Sequence, residues 1–147
     1  MTKPIYVLNG SNLNRLGTRE PTIYSRTTLA EVEQMCIEAA SGDPLVFRQS
    51  NKEYEIIDWV HEAIDEGSAI IINPAAFTFY SMAVMDSLKM FPGPIIELHI
   101  SNVHKREPMY HKSLVSAVAT AVIAGLGPYG YVVAVQSIRH MLSGQAA

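Results

Sequence analysis

Short aliphatic runs alternate along the chain with longer stretches in which apolar side chains recur every three or four positions. This alternation is typical of βαβ units, in which helices cover both faces of a parallel sheet. It predicts five strands, at 5–8, 45–47, 69–72, 95–100 and 119–126, and about five helices, with clear stretches at 28–42, 50–67, 77–90 and 128–142. We therefore expect an α/β fold: a flavodoxin-like three-layer sandwich around a five-stranded parallel sheet of order 2-1-3-4-5.

Helix boundaries are marked by capping residues. Thr28 with Glu31, and Ser50 with Glu53, have the spacing of a capping box, in which each side chain bonds to the backbone of the other residue. Gly42 and Gly67 follow the last apolar positions of the same two stretches, as expected at helix ends. The pattern thus predicts where the first two helices begin and end.

Composition limits the classes of protein. The 147 residues are 48% hydrophobic and 17% charged, which excludes disorder and favours a single domain over 1–147. The apolar runs are too short for a membrane helix or a signal peptide, so we expect a cytoplasmic protein. A net charge of -3 does not indicate a nucleic-acid binder. The single cysteine, Cys36, lies in an apolar helical stripe and is interpreted as a buried small side chain.

Polar side chains follow three of the predicted strands. In doubly wound sheets, ligands bind at the carboxyl ends of the strands, near the point where strand order reverses. Glu97 and His99 project from one face of their strand, and a carboxylate beside an imidazole prepares a general acid or base. A buried and inert pair is the alternative. The polar residues at these strand ends are Asn9, Ser11, Asn12, Asn73, Glu97, His99 and Ser101.

A long loop separates the first strand from the first helix. It contains Arg15, Arg19 and Tyr24, with Gly17 and Pro21 as hinge-like residues. Two nearby arginines could stabilise a tyrosinate that acts as a base, under a mobile lid. An ordinary exposed loop explains the same residues, and the sequence alone leaves both interpretations open.

Other chemistries lack the residues that they need. The glycines of 125–130 match a dinucleotide fingerprint, but no acidic residue follows Glu107 to bind a ribose, so tight strand-to-helix packing explains them better. The five histidines show no zinc pattern, and no metal is expected. The serine, histidine and glutamate types of a hydrolase are present without a nucleophile elbow. A phosphoacceptor domain would need acidic residues where the chain has Asn9-Gly10.

Six blocks of sequence together resemble one known family. They are NGSNL at 9–13, LGTREP at 16–21 followed by Tyr24, FRQSN at 47–51, INPAA at 72–76, ELHISNVH at 97–104 and GLG at 125–127. In this order the chain resembles the type II 3-dehydroquinate dehydratases. The resemblance implies a hydro-lyase that converts 3-dehydroquinate, a small cyclic keto acid, to 3-dehydroshikimate through an enolate. It also implies that the enzyme uses no cofactor and no metal. The expected assembly is a homo-oligomer, a dodecamer built from trimers, and the expected pathway is aromatic biosynthesis or quinate breakdown.

The resemblance also implies a role for each matching residue. Tyr24 takes a proton beside the ketone, Arg19 stabilises the tyrosinate form that acts as this base, and Arg106 supports the lid region. Asn12 holds the water that stabilises the enolate oxygen, while His99 protonates the departing hydroxyl and Glu97 orients His99. Asn73, Ser101 and the backbone around Ile100 bind the substrate carboxylate, and Asp86 reaches the site of a neighbouring subunit.

Two substrate-binding positions depart from the family pattern. Phe79 stands where the family has a histidine, and Tyr110 where it has an arginine, and the resemblance assigns both positions to the ring hydroxyls of the substrate. The hydroxyls of Tyr110 or Tyr80 could replace the lost donors. The alternatives are therefore a dehydratase of 3-dehydroquinate, a divergent paralogue that dehydrates or isomerises another cyclic keto acid, and a catalytically weak binding or assembly protein.

Overall fold

One parallel sheet forms the centre of the molecule. The computed structural model describes residues 2–18 and 26–144, and it places five strands in the order β2-β1-β3-β4-β5. The predicted sheet and its strand order are confirmed. The strands are β1 (Ile5–Asn9), β2 (Leu45–Gln49), β3 (Ala69–Asn73), β4 (Ile95–His99) and β5 (Ala121–Ala124).

Helices cover both faces of the sheet. The described residues form four α-helices: α1 (Leu29–Ala40), α2 (Glu53–Glu66), α3 (Met82–Leu88) and α4 (Tyr129–Leu142). Helices α1 and α4 pack on one face, and α2 and α3 on the other, each burying one stripe of aliphatic side chains. Cys36 lies on the buried face of α1, as expected, and burial raises the pKa of its thiol to about 12. No helix in the described ranges is long and apolar enough to cross a membrane.

The first predicted capping box is confirmed and the second is wrong. Thr28 caps α1 with reciprocal bonds to Glu31. In contrast, α2 has Lys52 at its N-cap with no side-chain cap, and the Ser50 hydroxyl donates to Glu55 Oε1 at 2.5 Å. Glu53 is not available to complete the box, because its carboxylate accepts a hydrogen bond from the hydroxyl of Ser81. A contact with a distant residue thus replaces the local one.

The helix predicted at 77–90 is divided into two parts. Residues Ala75–Phe79 form a 3-10 helix, and α3 begins only at Met82. Ser81 separates them because its backbone is extended and its hydroxyl accepts the N–H of Val84 at 3.0 Å, as an N-cap does. Strands β4 and β5 are also shorter than predicted, ending at His99 and Ala124.

The glycine of the apparent nucleotide fingerprint at the start of α4 has a packing role. A Cβ atom on Gly130 would lie 3.0 Å from Cδ1 of Leu98 in the strand below. The packing interpretation therefore holds for Gly130. Gly125 and Gly127 have positive φ values of 92° and 66° instead, and a Cβ atom on Gly127 would meet no atom within 4 Å.

Three buried polar side chains connect the sheet to α4. The Tyr131 hydroxyl donates to Asn9 Oδ1 at 2.7 Å and accepts from Asn73 Nδ2 at 2.9 Å. Burial raises the pKa of Tyr131 well above its ordinary value, so the hydroxyl keeps the proton that it donates. Asn9 and Asn73 are paired residues at the carboxyl ends of β1 and β3, and Tyr131 therefore fixes both strand ends.

We expect Tyr131→Phe to lower the free energy of unfolding by about 1–3 kcal/mol, because Asn9 Oδ1 loses its buried donor. Urea unfolding measures the difference. Tyr129→Phe, on the exposed side of the same helix, is the matched control and should change stability by less than about 0.5 kcal/mol. Equal stabilities of the two variants would contradict this account of the Tyr131 hydroxyl.

Candidate active site

A pocket of about 260 Å³ opens at the carboxyl edge of the sheet. It lies beyond the ends of β1, β3 and β4, which are neighbours in the sheet, and this is the place where the strand order reverses. Its lining combines polar side chains at the strand ends with apolar side chains from the segments that follow them. The lining residues are Ser11, Asn12, Leu13, Leu16, Asn73, Ala75, Ala76, Phe79, His99, Ile100, Ser101, Val103, Arg106 and Tyr110.

His99 presents an imidazole to this pocket and is held from behind by Glu97. The two side chains share a face of β4, and His99 Nε2 lies 2.5 Å from Glu97 Oε2. Both residues are buried, with 5% of His99 and 1% of Glu97 exposed. Because Nε2 is committed to Glu97, Nδ1 is the ring nitrogen left to exchange a proton in the pocket.

Glu97 is a buried carboxylate that accepts hydrogen bonds on both oxygens. Oε2 accepts from His99 and from the Ser113 hydroxyl at 2.6 Å, and Oε1 accepts from the Ser116 hydroxyl at 2.5 Å. Burial by itself would raise the pKa of Glu97, but the three hydrogen bonds outweigh it and hold the pKa below its ordinary value. Glu97 is therefore ionised at neutral pH and acts as the acceptor in each of these bonds.

The backbones of two loops meet tightly beside this pair. A Cβ atom on Gly10 would lie 2.3 Å from the carbonyl oxygen of Pro74, so only glycine fits there. The Gly10 N–H donates to the carbonyl oxygen of Asn73 at 2.8 Å. Ala75, which lines the pocket, has a φ of 50°, and its N–H donates to Asn73 Oδ1 at 3.2 Å. Such a left-handed alanine costs about 1–2 kcal/mol and is retained where surrounding contacts fix the backbone.

Aromatic rings form the apolar side of the pocket. The Phe79 ring stacks near His99, with centroids 6.4 Å apart and planes at 23°. Tyr110 meets Phe79 edge to face at 5.3 Å, and the Arg106 guanidinium lies 3.9 Å from the centre of the Tyr110 ring. We call Phe79, Tyr110 and Arg106 the aromatic wall. A cation over a ring and an edge-to-face pair both stabilise this arrangement.

Comparison with known proteins identifies the family of the chain. The family model described as "Dehydroquinase class II" matches residues 3–139. The chain belongs to this family.

Relatives and solved structures agree with this membership. A protein of Agrobacterium fabrum named 3-dehydroquinate dehydratase 2 is 54% identical over 139 residues, which cover 93% of this chain and 92% of that protein. A 3-dehydroquinate dehydratase of Cereibacter sphaeroides is 51% identical, with 98% and 99% covered. The crystal structure of type II dehydroquinase from Propionibacterium acnes superposes with a TM-score of 0.90 at 44% identity, covering 94% of this chain and 97% of that one.

Most of the residues predicted for the site of a class II dehydroquinase are brought together by the fold. Glu97 lies directly behind His99, whereas Asp86 is exposed on α3 and does not line the pocket of its own chain. Tyr80, considered as a replacement donor, is 62% exposed and does not line the pocket either. Arg19 and Tyr24 lie outside the described residues. The predicted residues that line the pocket are Asn12, Asn73, Phe79, His99, Ile100, Ser101, Arg106 and Tyr110.

The sequence analysis missed the hydroxyl groups behind Glu97. Ser113 and Ser116 precede β5 in a segment without strong periodicity, and only the three-residue spacing of the two serines gave any signal. Thr78, from the 3-10 helix that follows β3, lies with its hydroxyl 2.5 Å from that of Ser113. These contacts join residues 16 to 35 positions apart, so no local pattern indicates them.

The described residues offer no arrangement for a metal ion. Within 2–18 and 26–144, no three side chains of His, Cys, Asp or Glu are grouped so that they could hold one. His99 and Glu97 pair with each other and with hydroxyl groups instead. The arrangement can transfer a proton at His99, in a pocket with amide and hydroxyl donors at one side.

Proposed function

We propose that the chain is a hydro-lyase that dehydrates 3-dehydroquinate to 3-dehydroshikimate. The observation that carries this proposal is the buried Glu97–His99 pair at the wall of the pocket, in a chain that belongs to the class II dehydroquinase family. A dehydration of a β-hydroxy ketone needs a base, an acid and a group that stabilises the enolate oxygen. The pair supplies the acid.

The proposed reaction removes one proton and one hydroxyl from neighbouring carbons. Tyr24 takes the proton from the carbon beside the ketone, and the electron pair of that C–H bond forms an enolate. The enolate collapses, the C–O bond to the departing hydroxyl breaks, and His99 donates a proton from Nδ1 so that water leaves. Glu97 stabilises the imidazolium form of His99 before the transfer and holds the ring in place afterwards.

The polar side of the pocket suits the remaining groups of the substrate. Asn12 is proposed to stabilise the enolate oxygen through a bound water, and Arg19 to stabilise the tyrosinate form of Tyr24 that acts as the base. Ser101, Asn73 and the backbone at Ile100 are proposed to bind the carboxylate. Asn73 has one amide hydrogen committed to Tyr131 and its oxygen committed to the N–H of Ala75, so its second amide hydrogen is the one available to a ligand.

We further propose that the chain assembles as a dodecamer of trimers in the cytoplasm, with Asp86 reaching into a neighbouring site. Several large apolar side chains of the single chain are exposed to solvent, and their burial between subunits would be favourable. A chain whose one cysteine is a buried free thiol needs no oxidising compartment. The exposed apolar residues on and near α3 and the pocket are Tyr80, Met82, Met90 and Met109.

A second candidate function is supported by the aromatic wall. Phe79 and Tyr110 face the pocket where a polyhydroxylated ring would need polar partners, and the Arg106 guanidinium lies against the Tyr110 ring. A cyclic β-hydroxy keto acid with fewer hydroxyls on the ring edge opposite its carboxylate would suit this wall better. The same acid and base would then serve a divergent substrate.

For the first function, we expect purified protein to convert 3-dehydroquinate to a conjugated enone, followed by its ultraviolet absorbance. His99→Ala and Tyr24→Phe should each lower kcat by about 100-fold to 10,000-fold, because each removes a proton-transfer group. The exposed His140→Ala and Tyr129→Phe are matched controls and should retain activity. No absorbance change from the wild type at high enzyme concentration would exclude this function.

For the second function, the double variant Phe79→His, Tyr110→Arg should lower KM for 3-dehydroquinate by about 100-fold to 10,000-fold, since each charge-assisted hydrogen bond contributes about 1.5–3 kcal/mol. Steady-state kinetics measure this change. The control pair Tyr80→His, Tyr129→Arg introduces the same two side chains outside the pocket and should leave KM unchanged. An unchanged KM in the pocket variant would show that the aromatic wall does not limit substrate binding.

For the assembly, light scattering of the purified protein should give the mass of twelve chains. A monomeric mass at micromolar concentration would contradict the proposed dodecamer and the reach of Asp86 into a neighbouring site.

A further inference from the structure

Two serines that do not line the pocket bond to the carboxylate behind His99. We propose that Ser113 and Ser116 are positioning residues for the acid: their hydroxyls hold Glu97 ionised and in one orientation, and Glu97 in turn holds His99. Their effect on rate rests on the proposed function, whereas their effect on the His99 ring does not. The geometry that supports this proposal is a carboxylate 1% exposed, with each oxygen within 2.6 Å of a serine hydroxyl.

The direction of each hydrogen bond follows from the charge on Glu97. An ionised carboxylate can only accept, so Ser113 and Ser116 donate their protons to it. The Ser113 oxygen, 2.5 Å from the Thr78 hydroxyl, must then accept the proton of Thr78. The result is a chain of donors from Thr78 through Ser113 to Glu97, with Ser116 bonded to the other oxygen.

Neutral donors have a consequence for the acid that a cation would not have. A lysine or arginine beside Glu97 would offset its charge and weaken its attraction for a protonated imidazole. Hydroxyl dipoles stabilise the carboxylate and leave its full negative charge for His99. Among the described residues, His99 is the one ionisable group bonded to Glu97. The other groups bonded to Glu97 are the hydroxyls of Ser113 and Ser116, and the hydroxyl of Thr78 bonds to Ser113.

The 3-10 helix that carries Thr78 also contacts the His99 ring, through Phe79. Thr78 is fully buried, and the carbonyl oxygen of Thr78 accepts the N–H of Leu114 at 2.8 Å, so the segments of Thr78 and Ser113 are joined by backbone as well. The next residue, Phe79, stacks on the His99 ring. The hydroxyls fix Glu97 and the ring contact limits the tilt of His99.

Kinetics of Ser113→Ala, Ser116→Ala and the double variant test the proposal. Each single variant should lower kcat by about tenfold and change KM by less than about twofold, because a hydrogen bond to a charged group is lost away from the substrate. Ser116 is exposed, so its variant keeps the buried core intact. Ser113→Thr and Ser116→Thr retain the hydroxyl and should recover most of kcat. Ser87→Ala, which removes a buried hydroxyl bonded to the Val84 carbonyl, is the matched control and should retain full kcat.

A double-mutant cycle separates positioning from general stability. In the Glu97→Gln background, removal of either serine should lower kcat by less than about twofold, because residues that act through one group are not additive. Full tenfold losses in that background would overturn the proposal. A higher KM with unchanged kcat in the serine variants, or an equal loss of kcat in Ser87→Ala, would overturn the proposal as well.

The NMR signal of the His99 ring proton at Nε2 gives a readout that needs no activity. His99→Gln assigns this signal in the intact protein. It should shift and exchange faster with water in Ser116→Ala and Ser113→Ala, and remain unchanged in Ser87→Ala. An unchanged signal in both serine variants would refute the proposal, even if the wild type fails to dehydrate 3-dehydroquinate and the proposed function falls for that separate reason.

Discussion

A carboxylate removed from water is the constraint on which the site depends. An unpaired charge inside a protein is so unfavourable that Glu97 would be protonated unless donors met it. Two segments supply those donors: β4 through His99, and residues 113–116 through Ser113 and Ser116. The 3-10 helix that carries Thr78 bonds to Ser113 in turn. These segments are held beside the pocket by hydrogen bonds that reach Glu97 either directly or through Ser113.

The second determinant is the connection between the strand ends and α4. Parallel strands end at a common edge, where the last side chains of β1 and β3 leave the apolar core and need polar partners. Asn9 and Asn73 find a common one in Tyr131, which comes from residues more than fifty positions later in the chain. Because Asn73 also bonds to the N–H of Ala75, which lines the pocket, the pocket is linked through Asn73 to α4.

Sequence reasoning was most successful where a single local rule acts. Aliphatic runs between helical stripes predict the parallel sheet, and the alternation at Glu97 and His99 predicts a shared face at a ligand-binding edge. It failed where a distant partner competes. Ser81 takes the carboxylate of Glu53 that the second capping box needed, and the same serine divides the helix predicted at 77–90. The hydroxyls behind Glu97 could not be predicted, because only the folded chain brings Thr78, Ser113 and Ser116 together.

Gly10 determines which parts of this pocket are open to change. The carbonyl of Pro74 occupies the place where a side chain would begin, so the spacing of the two loops is set by backbone against backbone. No larger residue fits at Gly10 unless the carbonyl of Pro74 moves, so this contact does not change by substitution. Substitutions that change the shape of the pocket would therefore act at Phe79 and Tyr110, which line it from short 3-10 helices. Phe79 also stacks on His99, so a change of pocket shape at this position would alter the surroundings of the acid as well.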